Sequence, residues 1–101
     1  MRRWWAVSLT EQFRFMFTTL HSGAVNFTLH LASIPVLLMG LAQRRVGWII
    51  VAAMMEVAGH AWNWFFRFDR EQRRSAVRVF PLQASLTAVV FMLLFLGFGW
   101  L

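Results

Sequence analysis

The chain contains no cysteine among its 101 residues, which excludes disulfides, thiolate metal sites and a cysteine nucleophile. Lysine is absent as well, so all ten basic residues are arginine, and only four residues are acidic. Charged residues make up 14% of the chain against 59% hydrophobic and 17% aromatic, far to the apolar side of soluble proteins. The net charge of +6 does not come as a basic run interleaved with polar groove-reading residues, so nucleic acid is not an expected partner. A signal peptide is not expected either, because Glu11 and Arg14 interrupt the first apolar region and no small-residue cleavage site follows. Two prolines, Pro35 and Pro81, read as features that shape helices.

What is present is length in apolar runs. Segments 24–42 and 80–101 carry no charged residue and 46–66 carries only Glu56, and each approaches the roughly 20 residues a helix needs to cross a bilayer. The expected architecture is all-α, a single membrane domain with three transmembrane helices preceded by an amphipathic helix over 4–20, which becomes a fourth span if it inserts fully. In that first helix Trp5, Leu9, Phe13, Met16, Phe17 and Leu20 share one face, and Glu11, Arg14, Thr18 and His21 share the other. Gln43, Arg44 and Arg45 read as a short turn, and the polar stretch 67–79 as a basic loop. Eight arginines fall on the side of the N-terminus and that loop, against Arg44 and Arg45 on the other. The positive-inside rule therefore predicts a cytoplasmic N-terminus. A prokaryotic plasma membrane is the expected location, and a homo-oligomer is left open.

The polar residues inside these runs need explaining, because polar groups in hydrocarbon are costly without partners. Asn26 and His30 are four apart and share a helix face. His60 follows Glu56 by one turn, and Asn63 lies nearly one turn beyond it. With spans one and two antiparallel, His30 and His60 stand level at about 9 Å depth, and His21 lies at the mouth. Gln83 and Ser85 reach the same leaflet from span three, and with Asn63 they are the expected substrate contacts. Neutral imidazoles with open coordination positions suit iron(II), zinc or copper, with a carboxylate as ligand, base or orienting group. Two other readings fit the same residues. One is a non-enzymatic scaffold or lipid-binding protein in which the cluster bonds helices together, and the other is a haem protein with His30 and His60 as axial ligands.

The set His21, Asn26, His30 and Pro35, then Gly59-His60, then Phe80-Pro81-Leu82 with Ser85, resembles the Mpo-like family of small integral-membrane proteins over about residues 17–85. Characterised fungal members of that family are iron(II)-dependent dioxygenases of 2-hydroxy fatty acids in phytosphingosine breakdown. The chain differs from the family's usual pattern at Ser33, where glycine is usual, at Glu56, where glutamine is usual, and at Trp64, where an acidic residue is usual. The resemblance implies iron(II) held by His21, His30 and His60, with Asn26 and Glu56 as catalytic partners. It also implies a fatty-acyl substrate, chelated through its carboxylate and 2-hydroxyl, that loses C1 by oxidative cleavage in fatty acid alpha-oxidation.

Overall fold

The structure is a computed structural model and describes residues 9–101. Trp4, Trp5 and the rest of the N-terminal part of the expected amphipathic helix lie outside the described residues. Among those described, every regular element is helical: α1 (Leu9–Phe15), α2 (Ala24–Gln43), α3 (Val46–Trp62) and α4 (Arg70–Gly97), with π-helical segments at Met16–Leu20 and Asn63–Arg67. Three helical stretches, Ala24–Gln43, Val46–Arg67 and Arg70–Gly97, are long and apolar enough to cross a membrane, as the charge-free runs predict and as an integral membrane protein requires.

α2 and α3 form an antiparallel hairpin closed by Arg44 and Arg45. Arg44 takes the left-handed conformation (φ 54°), and the Arg45 N–H donates to the Gly40 carbonyl at 2.9 Å, which terminates α2. Small residues let the two helices approach closely. A Cβ on Gly40 would lie 2.9 Å from Trp48 Cβ and 3.0 Å from the Ile49 backbone nitrogen, whereas one on Gly47 meets nothing within 4 Å.

The stretch 67–79, expected as a loop, is largely helical, and α4 starts ten residues before the expected third span. Asp69 accepts from the Gln72 N–H at 2.8 Å, and the Gln72 side chain accepts from the Asp69 N–H at 3.0 Å. This capping box satisfies the first free donors of α4, so the charged turns extend a helix that the apolar run continues. Arg73 fixes its angle, donating through Nε to the Trp64 carbonyl at 2.8 Å and lying over the Trp64 ring. The expected span to 101 also stops early. α4 ends at Gly97, and Trp100 folds back to donate from Nε1 to the Leu41 carbonyl at 2.9 Å, beneath Arg44, which bonds the Gly99 carbonyl.

Two apolar clusters hold the bundle. Met16, Leu20, Phe68, Ala76 and Val79 are buried at the end where α4 begins, and Leu37, Leu41 and Ala52 at the hairpin turn. The buried polar residues Asn26, Ser33 and Asn63 belong to neither cluster. Replacing Gly40 by leucine is expected to destabilise the hairpin by about 1–3 kcal/mol through overpacking. Gly47→Ala, with open space at its Cβ, should leave stability unchanged or raise it by up to about 1 kcal/mol. Unfolding of both variants in detergent micelles checks the pair.

Candidate metal centre

The site begins with a carbonyl. The π-helical segment ends at Leu20, and His21 to Gly23 leave the helical path, with Gly23 at φ 91°. The Leu20 carbonyl therefore has no helical successor to bond and needs outside donors. It accepts from Asn26 Nδ2 at 3.0 Å and from Asn63 Nδ2 at 3.3 Å, and Asn63 Nδ2 also donates to the Ser22 carbonyl at 2.9 Å. Arg67 Nη1 donates to Asn63 Oδ1 at 3.2 Å and to Ser22 Oγ at 3.1 Å, its guanidinium lying where a side chain on residue 23 would stand. Two buried amides and one arginine thus hold the His21 turn against the open end of the α2–α3 hairpin.

This brings the three histidines together. The ring centroids are 5.2 Å apart for His21–His30, 4.9 Å for His21–His60 and 4.7 Å for His30–His60, with interplanar angles of 89°, 72° and 86°. One ring nitrogen from each lies within 4.8 Å of the others. His21 Nδ1 is 2.6 Å from the Met16 carbonyl oxygen and His30 Nδ1 is 2.9 Å from that of Asn26. A carbonyl only accepts, so each Nδ1 carries a proton, and in the neutral ring the lone pair is then on Nε2. Backbone carbonyls holding the far nitrogen are the usual outer support of histidine metal ligands. The His60 ring faces the Leu20 carbonyl, which couples the third imidazole to the same hub.

His21 lies outside the membrane-spanning segments, and its pKa is held below the usual 6.5, chiefly by burial and also by His30, against opposing pulls from the Met16 carbonyl and Glu56. The fold favours the neutral ring. Its contribution to stability is complete above pH 6.5 and is lost as pH falls below that value toward the lower folded-state pKa. A neutral ring is also the form that can ligate a metal.

The other expected site residues divide. Glu56 is half-buried, accepts from Ser33 Oγ at 3.2 Å and faces a cavity it shares with His21 and His30; its oxygens lie outside the group of mutually close ligand atoms. Asn26 is fully buried and serves the Leu20 carbonyl, while its Oδ1 has no hydrogen-bond partner among the described residues and lies against Gly59, where any Cβ would collide with it. Asn63, also fully buried, spends its amide on the His21 turn and is not among the residues that line the two cavities beside the histidines. Gln83 lines the cavities on both sides of the histidines and donates to Thr87 Oγ1 at 3.2 Å. Ser85 is exposed and donates to the Pro81 carbonyl one turn back, away from the site. Arg67, Ser33 and the Met16 and Leu20 carbonyls were not among the expected residues. Gly59, adjacent to His60, carried the readable signal of close helix approach.

His30 and His60 meet edge to face, with His21 against both. A porphyrin plane needs the space between two axial rings, and here the rings themselves fill it. No family model, curated protein or solved structure matches this chain.

Asn63→Leu removes the side-chain donor of the part-buried Ser22 carbonyl and one of the two asparagine donors of the Leu20 carbonyl, a loss of about 1–3 kcal/mol. Amide exchange should accelerate at residues 20–23 while the hairpin turn near Gly40 stays protected. Arg67→Met, which removes only partly exposed bonds, should have a smaller effect in the same direction.

Proposed function

We propose that this protein is a membrane-embedded oxygenase that uses iron(II), held by His21, His30 and His60, to shorten 2-hydroxy fatty acids by one carbon. The observation that supports it is the triad of half-buried imidazoles, two of them with the proton fixed on Nδ1 by a backbone carbonyl and Nε2 free. Three neutral nitrogen donors with further coordination positions open suit a divalent metal that must also take a substrate. A purely structural network would bond imidazole to imidazole or to carboxylate across helices, whereas two of these rings donate from Nδ1 to backbone carbonyls.

In the proposed reaction the C1–C2 bond breaks, C1 leaves as carbon dioxide, and C2 becomes the carboxyl of the shorter acid. One dioxygen is consumed, and the remaining oxygen and hydrogens leave as water. Bound iron supplies activation of dioxygen beside the chelated substrate. The chain's own groups bind and orient. Glu56, with Ser33 donating to Oε1, offers an acceptor to the substrate hydroxyl and a place for its proton. Gln83, steadied by Thr87, has a second amide hydrogen to give to the carboxylate. Apolar side chains that line the cavity beside His21 and His30 hold the chain and exclude water. By the positive-inside rule the site lies in the cytoplasmic half of a plasma membrane, level with the arginine-rich start of α4.

Elemental analysis of anaerobically purified protein is expected to find close to one iron per chain, falling to background in His30→Ala and in His60→Ala while both keep their helical circular dichroism. Wild-type protein should then consume oxygen with 2-hydroxyhexadecanoic acid and release the acid one carbon shorter. A folded protein with no metal in any form would instead identify the cluster as a helix-packing network.

A further inference from the structure

The two cavities beside the histidines are similar in size but not in shape or lining. One, of about 570 Å³, meets His60 and lies between α3 and the first turns of α4. It is closed by Leu20, Phe68 and Ala76, which belong to the buried cluster at that end, and its wall on α4 runs only from Gln83 back to Ala76, about 10 Å. The other, of about 560 Å³, meets His21 and His30 and lies between α1, α2 and the later turns of α4. Its α4 wall runs from Gln83 forward to Leu94, about 16 Å. From Gln83, which lines both, the cavities lead away in opposite directions along α4.

We infer that the acyl chain of the substrate lies in the second cavity, directed toward the α2–α3 turn, and that Val90 sets the chain length the site accepts. The inference rests on the functional reading above. Polar groups are concentrated at one end of this cavity: His21, His30 and Glu56 stand with Gln83 and Thr87 near the histidines, and past them the lining is Ile34, Leu37 and Leu38 from α2 facing Val90 and Leu94 from α4. An amphiphile with a chelating head and one apolar tail matches that order of polar then apolar surface. The first cavity offers its occupant one histidine, His60, with Gln83 and the Trp64 indole, and no carboxylate, and then ends against the core. Val90 is two turns beyond Gln83 on the cavity side of α4 and more than half exposed (53%), so an indole there projects into open space without displacing packed core. Val77, equally exposed at 61% and lining the first cavity, is the matching position in the other direction.

The test uses full-length, iron-loaded protein in detergent and measures binding of 2-hydroxyhexanoic and 2-hydroxyhexadecanoic acids to wild type, Val90→Trp and Val77→Trp, with iron content determined for each. Val90→Trp is expected to weaken the long acid at least tenfold and leave the short one within twofold, while Val77→Trp changes neither. Loss of the long acid in Val77→Trp alone would move the chain to the first cavity and overturn the inference. Equal effects of the two variants, or no effect of either, would also overturn it, since the chain would then lie outside the second cavity. Iron-loaded wild type that binds neither acid would overturn the functional reading itself.

Discussion

The Leu20 carbonyl is the point on which the site depends. A helix that ended in regular geometry would hand its last carbonyls to water or to a cap, but the π-helical turn ends inside the bundle, where water is scarce and an unbonded carbonyl costs about 1–3 kcal/mol. Two asparagines meet that need, Asn26 from the first turn of α2 and Asn63 from just past α3. Each comes from a different helix, and each is close in sequence to a histidine. Satisfying one backbone acceptor therefore sets the distance between three segments and brings His21, His30 and His60 to the same level.

Glycine at 59 follows from the same constraint. Asn26 reaches Leu20 only if α3 passes close to its side chain, and the contact at Gly59 leaves no room for a methyl group. The unpaired Asn26 Oδ1 lies against the Gly59 backbone, where a Cα–H can serve as a weak donor. Arg67 closes the arrangement from the outside, using its charge to bond Asn63 and Ser22 rather than a ligand. The Arg67 guanidinium is thus part of the scaffold that holds the His21 turn.

Much of this was legible in the sequence because hydropathy and helical spacing act over many residues at once. The first apolar run, the two-arginine turn and the pairing of His30 with His60 across antiparallel helices all follow from positions separated by whole turns. The 70–79 segment was misjudged because its charge outweighed a local signal that was present, the Asp69-to-Gln72 capping box. Asn63 and Ser85, expected as substrate contacts, bond backbone carbonyls, those of Ser22 and Pro81. A sequence shows that a side chain can bond, not that a backbone carbonyl has already claimed it, as Ser22 on another segment claims Asn63 and Pro81 one turn back claims Ser85. The two π-helical turns have no periodic signature, and the hub carbonyl, a backbone atom, has none at all.

The weak burial of α4 completes the physical picture. Only 6% of its most apolar window is buried within the chain, so in water this helix would have little reason to stay in place, and in a bilayer its exposed valines, leucines and phenylalanines are solvated by lipid. Its fixed points are at its ends, Arg73 on Trp64 near the start and Trp100 on Leu41 past the finish. Between them the helix spans both cavities with few contacts to hold it against α2 and α3. A site walled in this way is open sideways, toward the hydrocarbon that surrounds α4. His21 and His30 are held from behind by the carbonyls of Met16 and Asn26, contacts that do not involve that wall.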